Sequence, residues 1–179
     1  MTGVKKKPAT EHASFRIDKA MLESLKNISR EEQLSLNTYV NRVFDSHLNW
    51  EHSAPEVGWI VMLKSVSKEI IKNLDNETII QIARNAAESG SKEIALSMRG
   101  KYGIVEWISI LKNRAKSSGF SIKEYIEKDT VKIVMHHDMG EKWSLFFDTY
   151  YNTVFFDMGA NIKSEHTENS TLLEIKLKI

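Results

Sequence analysis

The chain has 179 residues, of which 41% are hydrophobic and 27% are charged, and its formal net charge is +1. These values are ordinary for one medium domain or two small ones, and they exclude a general polycation. Cysteine is absent, which excludes disulfides, thiolate metal sites and cysteine nucleophiles. No apolar run is long enough for a membrane span, and the first residues are polar rather than typical of a signal peptide. We therefore expect a cytoplasmic protein.

Residues 12–52 are predicted to form one short strand followed by two short amphipathic helices. The strand residues alternate between polar and apolar types, which places Phe15 and Ile17 on the same face. Asp18 is positioned to cap the first helix through its carboxylate. Ser35 is a second candidate cap, before a helix whose apolar residues repeat at three- and four-residue spacing.

A unit of this size with a single strand has an unpaired edge and little core, so two copies are expected to pair. Two antiparallel strands from two chains would form a ribbon, and such a ribbon fits the major groove of B-DNA. With this order of elements and the segment LSLNTYVN, the stretch resembles a ribbon-helix-helix domain of the Arc, MetJ and CopG type. One departure is Gln33, which stands between the helices where that family often has glycine.

The resemblance implies an obligate homodimer that reads double-stranded DNA with the polar face of the ribbon. The residues it assigns to base edges are His12, Ser14 and Arg16. It also implies phosphate anchoring through backbone N–H groups at the start of the second helix, by Ser35, Leu36 and Asn37. A flexible basic arm over residues 1–11 would add phosphate affinity through Lys5, Lys6 and Lys7. Ordinary solvated surface positions are the alternative for His12, Ser14 and Arg16, and a solvated disordered tail is the alternative for the three lysines.

Beyond a short linker over residues 53–58, the chain predicts an α+β domain over residues 59–179. A helical section comes first, and it includes Arg114 near a helix end, where positive charge suits the helix dipole. The order β-β-α-β-β that follows indicates a mostly antiparallel sheet, and no internal repeat is evident. An aromatic-rich helix in this order is more typical of a core element than of a ligand pocket. The predicted strands are 121–127, 130–137, 160–167 and 171–179, and the aromatic helix is 142–158.

Two adjacent histidines, His136 and His137, stand in the segment HHDMGEKW with two acidic residues. A metal site could join either histidine to Asp138 and to His166, because imidazole and carboxylate suit zinc, nickel or manganese. The structural alternative is a capping box, in which Asp138 caps the next helix together with Glu141. Neighbouring residues of a strand face opposite ways, which disfavours joint ligation by the two histidines. We therefore expect no metal and no cofactor.

The segment VMHHDMGEKWSLFFDTYY resembles the C-terminal regions of uncharacterised archaeal proteins that carry a ribbon-helix-helix head and are predicted regulators. Together the two resemblances imply a homodimeric, sequence-specific, DNA-binding transcriptional regulator that is associated with the nucleoid. Its C-terminal domain would sense an unknown effector or build a higher oligomer, by analogy with other regulators. We expect no membrane partner.

Three other functions stay open on the sequence. In an antitoxin-type autoregulator the C-terminal part would cover a toxin, although such tails are usually short or disordered and this one is predicted to fold. An architectural DNA-binding protein would coat DNA without sequence preference. A metal-dependent hydrolase is least favoured, because the chain lacks a Gly-x-Ser-x-Gly elbow, a phosphate-binding glycine loop and a helical His-Glu-x-x-His motif. We therefore expect that the protein is not an enzyme.

Overall fold

A computed structural model describes residues 10–177, and the chain divides into two compact units, Met1–Phe44 and Asp45–Ile179. The predicted lysines Lys5, Lys6 and Lys7 lie outside the described residues. Among the residues described, no helix combines the length and the apolar character needed to cross a membrane.

The first unit contains helix α1, Lys19–Glu31, and most of helix α2, Leu36–Ser46. The Asp18 side chain accepts hydrogen bonds from two backbone N–H groups of the first turn of α1, at 2.9 and 3.1 Å. Ser35 Oγ likewise accepts from a backbone N–H of α2, at 3.1 Å. Both predicted caps are therefore confirmed. Gln33, in the turn between the helices, has a φ of 56°, a conformation that glycine adopts more easily.

The predicted strand at the start of the first unit is wrong for this chain, because residues 10–18 have no regular secondary structure. A strand needs a hydrogen-bonded neighbour, and none of the described residues pairs with this segment. The two helices also keep much of their apolar side exposed, since Met21 of α1 is 58% exposed and Phe44 of α2 is 47% exposed. The hydrophobic core of the molecule therefore lies in the second unit.

The second unit is an α+β domain, as the sequence predicts. A π-helical turn at His47–Glu51 and a 3-10 turn at Pro55–Val57 come before its longer elements. The helices are α3 at Lys64–Lys72, α4 at Asn76–Arg99, α5 at Ile104–Ser117 and α6 at Glu141–Asp157. The strands are β1 at Ser121–Glu127, β2 at Thr130–His136, β3 at Asn161–Thr167 and β4 at Ser170–Lys176. The strands form one antiparallel sheet in the order β1-β2-β4-β3, which confirms the predicted β-β-α-β-β succession.

The second unit contains an internal repeat that the sequence analysis missed. The groups α5-β1-β2 and α6-β3-β4 each consist of a helix and a hairpin, and the two edge strands begin forty positions apart, at Ser121 and Asn161. Gly119 and Gly159 end the two helices at the same spacing, with φ values of 66° and 70°. Few residues are identical between the two groups. The two groups instead share their pattern of buried positions and the backbone conformation at the helix ends.

Helix α6 is the centre of the core. It packs on one side against the sheet, where Ile133 of β2 and Leu173 of β4 are buried, and on another side against α4. The buried residues of α4 recur at about every fourth position and are mostly small, with Ala83 and Ala87 among them, which allows a close approach of helices. Because α6 is covered on more than one side, its aromatic residues except Phe156 belong to the core or pack against it, largely as predicted.

Candidate functional site

The junction between β2 and α6 is organised by His137, whose side chain is 0% exposed. Its Nδ1 accepts a hydrogen bond from the backbone N–H of Met139 at 3.0 Å. The ring proton must then be on Nε2, which lies 2.9 Å from Ser144 Oγ and donates to it. Ser144 Oγ in turn donates to the backbone carbonyl of Glu168 at 2.9 Å. Both ring nitrogens are thus hydrogen-bonded: Nδ1 to the junction itself, and Nε2, through Ser144, to the β3–β4 turn.

Burial lowers the pKa of His137 to about 4. The positive charges of Lys64 and Lys68, and the neighbouring His136, act in the same direction, whereas Asp138 opposes them. The imidazole is therefore neutral near pH 7. Since it is also inaccessible and has no free nitrogen, it serves the structure of the junction rather than proton transfer.

The predicted capping box is wrong. Asp138 has a φ of 53° and lies outside α6, and the residue at the N-cap is Gly140, which has a φ of 89° and provides no side-chain cap. The chain turns from β2 into α6 through two residues with positive φ, Asp138 and Gly140. Because Gly140 is the second of them, α6 begins only at Glu141. Asn169 stabilises this turn, because its Oδ1 accepts from the Gly140 N–H at 3.0 Å.

A cavity of about 360 Å³ lies between α3, this junction and the β3–β4 turn. Its charged lining residues are Lys68, Lys72, Lys142, Asp138, Glu141 and Glu168. Two of the lysines are already engaged. Lys142 Nζ donates to the carbonyls of Lys72, at 2.8 Å, and of Leu74, and so ties the end of α3 to the start of α6. Lys72 itself pairs with Glu69 at 2.9 Å.

The other charged groups of the cavity have no partner among the described residues. No ion pair or side-chain hydrogen bond within residues 10–177 involves Lys68, and the same holds for the carboxylates of Asp138, Glu141 and Glu168. All four residues are exposed, so the wall of this open cavity presents solvated charges of both signs. Ile71 and Met139 add an apolar part to the lining.

The alternative metal site is not assembled. His136 Nδ1 lies 3.0 Å from Ser170 Oγ, and His166 Nδ1 lies 3.2 Å from Asp148 Oδ2, so the predicted ligands have separate partners. Within the described part of the chain, no three histidine, aspartate or glutamate side chains come close enough to hold a metal ion.

The pair of Asp148 and His166 is a contact that the sequence did not predict. The Asp148 carboxylate also accepts from Asn152 at 2.9 Å and from Ser164, so it joins α6 to the edge strand β3. In the other half of the repeat, Lys112 of α5 and Glu124 of β1 occupy the positions equivalent to Asn152 and Ser164, and they form an ion pair at 2.6 Å. Each edge strand is thus attached to its own helix, which is a structural role.

The described residues that were predicted to contact DNA lie in the first unit. His12, Ser14 and Arg16 are exposed in the irregular segment before α1. Ser35 uses its hydroxyl as the cap of α2, where Leu36 and Asn37 form the first turn.

Comparison with known proteins gives neither a matching protein family nor a matching curated protein. Several solved structures do match. A double variant of Tt H-NOX has 13% sequence identity, covers 77% of this chain and 88% of its own, and has a TM-score of 0.45. A variant H-NOX from T. tengcongensis has 12% identity, covers 91% and 98%, and has a TM-score of 0.44. A Cs H-NOX mutant with 4-cyano-L-phenylalanine has 12% identity, covers 89% and 96%, and has a TM-score of 0.44.

These comparisons correct the recognition made from the sequence. No family model matches the chain, so none supports a ribbon-helix-helix assignment, and residues 12–17 do not form the strand that a ribbon requires. The CopG-like resemblance is therefore wrong, and so are the predictions that depended on it: a DNA-binding transcriptional regulator, a homodimer built on the ribbon, and double-stranded DNA as the partner. Association with the nucleoid has no support. The identities and TM-scores are too low to transfer a function from H-NOX proteins to this chain.

Proposed function

We propose that the second unit is a non-catalytic binding module for a small zwitterionic molecule, which occupies the cavity beside the start of α6. The observation that carries the proposal is the set of unpaired charges of both signs on the wall of this cavity. Lys68 supplies a positive charge, and Asp138, Glu141 and Glu168 supply negative ones.

The size of the cavity suits a small ligand. Ligand pockets in proteins generally have volumes of about 300 to 1,000 Å³, and 360 Å³ is near the lower limit. Charged side chains next to one another lose solvation when a ligand covers them, so a ligand must offer opposite charges in return. A molecule with one anionic and one cationic group does this, and the apolar surface of Ile71 and Met139 suits its carbon skeleton.

Neither His137 nor His166 is placed to act as a general base in the cavity. An imidazole that acts as a general base needs a free nitrogen within reach of a substrate, and His137 has both nitrogens engaged in a buried position. His166 is fixed by Asp148 on the edge strand and does not line the cavity. The absence of enzyme activity stays a prediction.

A heme does not fit the residues that the structure describes. Heme iron needs an axial ligand, most often an imidazole nitrogen, inside an apolar pocket. The described cavity has no histidine in its lining and is bordered by charged side chains. His47 Nδ1 lies 3.6 Å from Glu51 Oε2, its ring centre lies 5.9 Å from that of His52, and both histidines are exposed. The resemblance to H-NOX structures therefore gives no reason to place a heme here.

The test is a thermal-shift screen of the full chain with the amino acids and glycine betaine as probes. A ligand present at a hundred times its Kd should raise Tm by about 5 °C or more. The rise should be lost in Lys68→Met and in Glu141→Gln, because each substitution removes one of the charges that the ligand meets.

Lys92→Met is the matched control, since Lys92 is an exposed lysine of α4 outside the cavity lining. This variant should respond to the ligand as the unaltered chain does. If no zwitterion in the panel shifts Tm, or if the shift persists in both cavity variants, the proposal is overturned.

A further inference from the structure

The internal repeat identifies Arg114 as an exception in the core. The forty-residue offset places Arg114 of α5 at the position of Val154 in α6, and Val154 is 1% exposed. Its neighbours at equivalent positions follow the repeat, since Leu111 and Tyr151 are both buried. An arginine therefore stands in α5 where the fold places a buried apolar residue in α6.

Aromatic side chains surround this arginine. Its Cζ lies 4.7 Å from the centre of the Trp59 ring and 5.1 Å from the centre of the Phe147 ring. Its Nη1 donates a hydrogen bond to the Tyr151 hydroxyl at 3.1 Å. A guanidinium group has five N–H donors, and no ion pair between the described residues joins Arg114 to a carboxylate.

A hydrogen-bond donor without an acceptor lies on the Trp59 ring, beside the Arg114 guanidinium. Trp59 Nε1 is buried and has no hydrogen-bond partner among the described residues. The centre of the Trp59 ring lies 5.5 Å from the centre of the Trp50 ring, and the charged group close to it is the Arg114 guanidinium. Among the described side chains, the Tyr151 hydroxyl accepts one hydrogen bond from Arg114, and none accepts from the Trp59 N–H.

We propose that Arg114 and the Trp59 indole N–H form a binding site for a small carboxylate. A half-buried cation without a counter-charge has lost solvation that the contacts with two rings only partly replace. The planar guanidinium matches the two oxygens of a carboxylate, which can accept two parallel hydrogen bonds from it. A carboxylate has enough lone pairs to accept from the indole N–H as well. The site shares no residue with the cavity beside α6, so the two proposals fail or succeed independently.

The experiment is a titration of the full chain with acetate, at ionic strength held constant with chloride, followed by tryptophan fluorescence. The unaltered chain should show a saturable change, because Trp59 lies against the arginine. Arg114→Met should abolish the change. Arg114→Lys keeps the charge without the planar fork and should weaken binding at least about tenfold.

Two further variants keep the test decisive if Arg114→Met does not fold. Trp59→Phe keeps an aromatic ring but removes the N–H. Because bound acetate should raise the Tm of the unaltered chain, it should raise the Tm of this variant less. Lys116→Met, at an exposed position of the same helix, should bind acetate normally. The proposal is overturned if acetate gives no saturable signal, if Arg114→Lys and Trp59→Phe bind it as the unaltered chain does, or if inorganic phosphate binds and acetate does not.

Discussion

Replacing Phe155 with alanine should lower the free energy of unfolding by about 3 to 5 kcal/mol, because the substitution leaves a cavity in the core. Phe155 is 0% exposed and belongs to the side of α6 that is covered by the rest of the second unit. The same substitution at the next residue, Phe156, should change stability by no more than about 0.5 kcal/mol, since that side chain is 77% exposed. Urea denaturation followed by circular dichroism measures both values.

The two positions form a matched pair, since residue type, helix and helix propensity are the same and only burial differs. The comparison therefore tests which side of α6 faces the core. The positions of His137, of the cavity and of Phe147 beside Arg114 all depend on this orientation of the helix. Similar losses for both variants, or a larger loss for Phe156→Ala, would contradict the described packing of α6.

Acidification from pH 6.5 to about 4 should remove about 3 kcal/mol of stability through His137 alone. The folded-state pKa of His137 is lowered to about 4, whereas an unfolded histidine binds its proton near pH 6.5. Between these values the unfolded chain holds more protons than the folded one, so stability rises with pH. The contribution is fully present above pH 6.5 and is lost as the pH falls through 4.

The measurement is the free energy of unfolding as a function of pH for the unaltered chain and for His137→Gln. The glutamine amide can still donate towards Ser144, but it has no charge to gain, so this variant should lose the histidine part of the pH dependence. His52→Gln replaces an exposed histidine and is the control. If His137→Gln keeps the full slope between pH 4 and 6.5, the buried neutral imidazole is the wrong description.

The misassigned ribbon shows where a local pattern stops being informative. Alternation over residues 12–17 is compatible with a strand, but alternation does not provide the neighbouring strand that forms the hydrogen bonds. The order of a strand, a cap and two helices is also a degenerate pattern. The helices and their caps at Asp18 and Ser35 were predicted correctly, because a cap depends on residues two or three positions away.

The junction at Asp138 failed for a related reason. A carboxylate three residues before a glutamate is a good capping signal, but the backbone at Asp138 and Gly140 is left-handed, so the helix begins later. That backbone conformation is imposed by contacts from a distant turn, where Asn169 accepts from the Gly140 N–H and the backbone carbonyl of Asn169 accepts from the His137 N–H.

By itself the sequence determined the α+β class of the second unit, the β-β-α-β-β order and the placement of most aromatic residues of α6 in or against the core. These follow from periodicity and capping, which act over a few residues. Only the tertiary structure decided the internal repeat, the charged cavity and the surroundings of Arg114, which the sequence had explained by the helix dipole alone. The reason is that Trp59, Arg114 and Phe147 are far apart along the chain. Patterns over a few neighbouring residues do not predict which distant side chains come into contact in the folded core.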